Sequence, residues 1–143
     1  ILQASNANSA KVSEENLNII KRAMEKVSLD EFGTGRNFRL GIKGVEMAGK
    51  TGTVQVRRIS TKERESEEGV IKNEDRIWEW RDHALYVGYA PMDKPRYAIS
   101  VIVEHGGSGS SKAGPIARDI MEATLTDDPT RFIPKNPIKK PII

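Results

Sequence analysis

From Lys50 onward the chain reads Lys-Thr-Gly-Thr-Val-Gln-Val, a run that constrains the local backbone more than any other in the sequence. The β-branched Thr51, Thr53, Val54 and Val56 favour a pleated surface, and the glycines allow another backbone to approach closely. The composition predicts a strand over 50–56, and its charged and polar content predicts an edge position. The same strand bears on a competing motif. Gly44-Val45-Glu46-Met47-Ala48-Gly49-Lys50-Thr51 matches the phosphate-loop pattern G-x-x-x-x-G-K-[ST], which would make the chain a nucleotide-binding protein. A phosphate loop must open a helix whose N-terminal amides hold the phosphates. Gly52 and Thr53 start helices poorly, Glu46 would face phosphate charge, and no strand precedes Gly44. The apolar run ending at Glu104 could serve as a magnesium-binding strand, which keeps nucleotide binding as the alternative.

The other elements follow from periodicity. Ser13 as N-cap, Glu14 and Glu15 at the positive end of the dipole, and Leu17, Ile20, Met24 and Val27 at helical spacing predict a helix over 14–27. Phe32-Gly33-Thr34-Gly35 breaks it, and 36–43 is ambiguous between a helical turn and an extended approach. His83–Ala90 and 97–104 read as a hairpin across Pro91-Met92-Asp93-Lys94-Pro95. After the 106–109 loop, Pro115 suits the first turn of a helix whose Ile116, Ile120, Met121 and Leu125 are expected to face inward. Residues 57–81 are too charged to pack on every side and predict an exposed excursion, brought back by Trp78 and Trp80. The tail 126–143 is rich in Pro and Lys and is expected to be loose, leaving a core over 10–125.

This order predicts an α/β chain of α+β type, an antiparallel sheet with helices packed on it. With 143 residues it fits one domain, and its opening on an apolar pair without Met suggests a piece of something longer. Acidic and basic residues are interspersed around a net charge of +3, so no basic face points to nucleic acid. The absence of cysteine excludes disulfides and thiol catalysis. No run approaches the roughly 20 apolar residues of a membrane span, and the segment is expected to be soluble.

Lys50-Thr51-Gly52-Thr53 at the head of an edge strand is also the K-T-G motif of penicillin-binding proteins and serine β-lactamases. Around it, 48–56, Asp82-His83-Ala84-Leu85-Tyr86-Val87-Gly88-Tyr89-Ala90-Pro91 and Glu104-His105-Gly106-Gly107-Ser108-Gly109 resemble the elongation-type, rod-shape class B penicillin-binding proteins. Phe32-Gly33-Thr34-Gly35 and Ala117-Arg118-Asp119-Ile120 extend the resemblance in the same order. It implies the C-terminal part of a transpeptidase domain with a partial penicillin-binding, serine β-lactamase-like fold. The implied activity is D,D-transpeptidation: acyl transfer from a D-Ala-D-Ala stem peptide of peptidoglycan through a serine, with β-lactams as mimics. By similarity Lys50 supplies positive potential, the Thr51 and Thr53 hydroxyls bind the substrate carboxylate, Gly52 leaves room for substrate, and the Thr53 amide is half the oxyanion hole. Implied partners are stem peptides and the rod elongation complex, with an inner-membrane anchor upstream and work in the periplasm. No cofactor or metal is implied. The family's Ser-x-x-Lys and Ser-x-Asn motifs do not occur here, so the segment alone is expected to be inactive. An exposed edge on the 97–104 strand would invite self-association.

Plainer readings cover the remaining conspicuous residues. His83 and His105 cap a strand or pack at a loop rather than bind zinc. Trp78 and Trp80 pack the excursion, Glu104 reaches solvent, and Lys139 and Lys140 belong to a solvated tail. The 106–109 loop is the turn into the last helix. A folded interaction module without catalysis is the third functional reading.

Overall fold

The computed structural model describes residues 11–127; the expected tail therefore lies outside the described residues, save for its first two positions. Ser13 caps α1 (Glu14–Leu29), its hydroxyl accepting from the Asn16 N–H at 3.3 Å, with two acids in the first turn. The helix runs two residues past the expected end. Its apolar stripe is only partly covered: Met24 and Val27 are half-buried, whereas Leu17 and Ile20 are 43% and 51% exposed. α1 packs mainly on the neighbouring strand, and residues 14–20 at its start are all exposed.

Three strands form one antiparallel sheet in the order β1 (Ala48–Val54), β2 (His83–Ala90), β3 (Tyr97–Val103). The edge position expected for β1 is what the fold shows. β1 stops two residues short of Val56, because the Val56 N–H turns to the Asp82 carboxylate at 3.3 Å instead of a ladder partner. β3 ends at Val103 rather than at position 104. There the Gly106 N–H folds back to the Val103 carbonyl and His105 adopts a left-handed φ of 53°.

Directly paired residues share a face of the sheet. Ala84, Tyr86 and Ala90 of β2, with Ile99, Val101 and Val103 of β3, build the core against Phe38, Leu40, Met47, Ala117, Met121 and Leu125. Phe38, at the end of a 3-10 turn (Arg36–Phe38), meets the Tyr86 ring edge-on at 5.3 Å. The opposite face carries Lys50, Val54, Leu85, Val87 and Ile102, and Ile102 is 64% exposed.

Burial pushes the Tyr86 phenol up to about 12, with the Ser28 hydroxyl pulling the other way. The folded chain therefore holds this proton more tightly than the unfolded one, whose phenol titrates near 10. Stability is intact below pH ~10 and is lost as pH rises toward ~12. Thermal melts should show this alkaline decline, and Tyr86→Phe should flatten it; an unchanged slope in the variant would contradict the assignment.

α3 (Gly114–Asp127) and the turn before it depart from expectation in three ways. Its buried stripe is Ala117, Met121 and Leu125, while Ile116 and Ile120 are 41% and 49% exposed. Residues spaced by four share one side of the helix, and the two isoleucines stand one position, about 100°, off that line. The turn before it, read as loop from Gly106 to Gly109, becomes a π turn at Gly109–Ala113, closed by the Gly114 N–H on the Gly109 carbonyl. The helix also continues through Asp127, past the expected start of a loose tail.

The excursion is not simply exposed. α2 (Thr61–Glu65) is capped by Ser60, and Arg57 forms a double ion pair with Glu63. Arg76 is buried, with Nη1 3.2 Å from both Asp82 carboxylate oxygens and Nε donating to the Ile71 carbonyl at 3.0 Å. The Asn73 side-chain oxygen accepts the Asp82 N–H at 3.0 Å. A charge run shows the sequence reader only its polarity; which one of its cations finds a buried carboxylate depends on the fold.

Candidate functional site

β1 has β2 on one side only, so alternate residues along its other edge direct N–H and C=O groups outward. Lys50 Nζ donates to the Thr51 carbonyl at 2.8 Å, which marks Thr51 as one of these outward residues. Alternation carries the Thr53 N–H and C=O to the same free edge. Side chains alternate as well: Lys50 leaves one face of the strand, and Thr51 and Thr53 leave the other. By curling onto the Thr51 carbonyl, the Lys50 ammonium returns its charge to the edge where the Thr53 amide lies.

The Phe32-Gly33-Thr34-Gly35 break after α1 is held by the Gly33 N–H on the Asp30 carbonyl and the Gly35 N–H on the Val27 carbonyl. This brings Thr34 to β1, where its hydroxyl meets that of Thr51 at 2.8 Å. A shallow, open cavity of about 370 Å³ lies between Lys50, Phe32 and the Ala23–Val27 side of α1. A second, of about 360 Å³, opens at the other end of the strand and is lined by Thr53, Asn73, Arg81, Ser108, Ser111 and Lys112. The four motif residues thus sit together on one edge between two open recesses. Sequence reasoning did not foresee the excursion's Asn73 or the π turn's Lys112 beside Thr53, since neither carries a local signal.

The phosphate-loop reading falls here. Ala48 and Gly49 are already paired with Tyr89 and Gly88, and the chain continues extended through Val54. No helix opens at Thr51, and residues held in a ladder cannot wrap a phosphate.

The two histidines form a pair. The His105 N–H donates to His83 Nδ1 at 2.9 Å, and Trp78 lies 4.3 Å from the His105 ring. His105 Nδ1 is 3.0 Å from the Arg81 carbonyl, which can only accept, so this nitrogen carries the proton. Trp78 thereby ties the excursion to the end of β3, as expected, although it and Trp80 are both 55% exposed. No group of three metal-binding side chains exists among the described residues.

Comparison with known proteins follows the same lines. Residues 2–122 match the family described as penicillin binding protein transpeptidase domain. The chain is 38% identical over 105 residues to the peptidoglycan D,D-transpeptidase MrdA of Haemophilus influenzae, covering 73% of this chain and 15% of that protein. It is 37% identical over 120 residues to MrdA of Acinetobacter baumannii, covering 84% of this chain and 16% of the relative. The chain therefore spans about 15% of the length of these relatives. Among solved structures, a chain in the complex between the penicillin-binding protein PBP2 and MreC from Helicobacter pylori superposes with a TM-score of 0.60 at 30% identity. That match covers 79% of this chain and 17% of the other.

Proposed function

This chain belongs to the penicillin-binding protein transpeptidase family, in the region corresponding to the C-terminal part of a rod-shape class B transpeptidase domain, and on that premise we propose that it forms one wall of a serine acyl-transfer site. The observation that carries the reading is the free edge of β1, with Lys50 at its head and the Thr53 amide directed outward. A peptidoglycan stem peptide ending in D-Ala-D-Ala lies along this edge as an added strand, unobstructed at Gly52. Its terminal carboxylate meets the Thr51 and Thr53 hydroxyls. A serine from the remainder of the domain attacks the penultimate carbonyl, and the Thr53 N–H stabilises the oxygen that becomes negative, a donor typically worth ~3–4 kcal/mol. The terminal D-Ala departs with the proton taken from the serine. An amine of a second stem then displaces the serine, completing the cross-link. Lys50 supplies fixed positive potential, which costs no reorganisation during the reaction.

β-Lactams imitate the donor and leave the serine acylated. The MrdA relatives and the PBP2–MreC complex from Helicobacter pylori support a place in rod elongation, with the protein working on the periplasmic face of the inner membrane. Among the described residues no helix is long and apolar enough to cross a membrane. We read 1–143 as a piece of one domain, with self-association of the isolated piece through the outer edge of β3. Labelled penicillin tests the reading: a protein carrying the whole domain is expected to take up one covalent label per chain, and 1–143 alone none. A whole-domain protein that takes no label would rule the reading out.

A further inference from the structure

Gly109, the first residue of the π turn, is buried against the backbone where β1 and β2 pair. A Cβ built on it would stand 2.5 Å from the Leu85 carbonyl oxygen, 2.8 Å from the Gly52 nitrogen, and closer still to the Gly52 carbonyl oxygen. Gly52 and Leu85 are register partners, so Gly109 lies directly over one rung of the ladder. All three neighbours are main-chain atoms, which cannot swing aside as the tip of a side chain does.

The Gly52 carbonyl and the Thr53 N–H belong to one peptide unit, and that unit is planar. Anything that tilts the carbonyl on the β2 side tilts the N–H on the free edge by the same angle. The turn itself is anchored at both ends. Before it, the Gly107 N–H bonds the Asp82 carbonyl at 2.8 Å and the His105 N–H bonds His83. Behind it, Ala113 is fully buried and Gly114 faces the Phe38 ring. β1 has a ladder on one side only, so it is the partner that yields to a clash.

We propose that Gly109 is a positioning residue: its missing side chain lets the π turn seat against the Gly52–Thr53 peptide and fixes the direction of the Thr53 N–H. This rests on the reading of that N–H as an oxyanion donor. Losing such a donor outright costs roughly 10²–10³-fold in rate, so misdirecting it through Gly109→Ala should slow acylation roughly 10- to 100-fold per active site. Affinity for the unreacted β-lactam should stay near wild type. A weakened hydrogen bond to the acyl carbonyl also raises its stretching frequency, which infrared spectroscopy of the acyl-enzyme reads directly.

The experiment uses the whole-domain protein acylated by benzylpenicillin. Gly109→Ala is expected to shift the carbonyl band upward and slow acylation after normalisation to active sites. Leu125→Ala, which opens the core at the far end of α3, is expected to lower the melting temperature while leaving band and rate alone. Ser111→Gly, at an exposed position of the same turn, loosens it without adding bulk, and should broaden and raise the band even if Gly109→Ala does not fold. An unshifted band in the turn variants, or an equal shift in Leu125→Ala, overturns the proposal. A wild type that benzylpenicillin never acylates overturns the transpeptidase reading itself, and is thereby distinguished from a failure confined to Gly109.

Discussion

Gly52→Val in a protein carrying the whole domain is expected to lower the second-order rate of β-lactam acylation by a thousandfold or more. A Cβ at position 52 projects on the Lys50 face and already meets the Leu85 Cβ at 3.3 Å, so the two further methyls of valine have no room toward β2. They are driven toward the free edge, where the substrate must lie as an added strand. The backbone shift that relieves them displaces the Thr53 amide, a donor worth ~3–4 kcal/mol in the transition state, or about two to three powers of ten in rate. Obstruction of the bound acyl donor comes in addition. Thr53→Ala makes the contrast. It removes a hydroxyl but keeps the N–H, so it weakens carboxylate recognition and is expected to cost roughly 10- to 100-fold, the range of one or two hydrogen bonds to a charged group. Acylation constants from labelled penicillin measure both; equal losses in the two variants would count against the assigned roles.

Asp82→Ala is expected to destabilise the fold by about 3–5 kcal/mol, the cost of leaving one member of a buried ion pair without its partner. The Arg76 and Asp82 side chains are 6% and 11% exposed, so solvent screens neither. Removing the carboxylate strands the Arg76 guanidinium and leaves the Val56 N–H without its acceptor. The excursion is pinned at this base, and Asn73, which bonds the Asp82 N–H, lines the recess beside Thr53. Acylation should therefore fall along with stability. Urea denaturation measures the first effect, and a loss below ~1 kcal/mol would contradict the pairing.

Reading the sequence located the parts that rest on short-range chemistry. Ser13 capped α1 as expected because capping is settled within three residues, and β1 was extended because Thr51, Gly52 and Thr53 resist a helix. The hairpin followed from prolines and an Asp between two alternating runs. Side-chain burial was less legible. In α3, hydropathy drew attention to Ile116 and Ile120, yet the sheet takes the line of small and flexible residues through Ala117 and Met121. Alanine carries little hydrophobic signal, and close packing against a strand favours it for that very reason. On α1, Leu17 and Ile20 have the right spacing yet stay about half exposed.

The site divides in the same manner. Lys50 through Thr53 stood out as a motif, and the competing phosphate loop was set aside by the strand that follows it. The residues that surround the motif come from 17 to about 60 positions away: Thr34 at the Thr51 hydroxyl, Asn73 at the recess, Gly109 over the Gly52 rung. Thr34 and Gly109 lie in segments that carry the family resemblance, but no spacing or composition announces which contact each of the three makes, because that contact exists only once the chain has folded. A charged excursion and a glycine-rich loop look alike whether or not they return to an active edge.

The edge of β1 as the acyl-binding wall is tested most directly by a crystal structure of the whole-domain protein acylated by a β-lactam. The ligand's carboxylate is expected on the Thr51 and Thr53 hydroxyls, and its acyl oxygen within hydrogen-bond distance of the Thr53 N–H, as the antibiotic lies along Lys50–Thr53. An acyl group whose oxygen points away from β1, with the Thr53 amide bonded elsewhere, would contradict it.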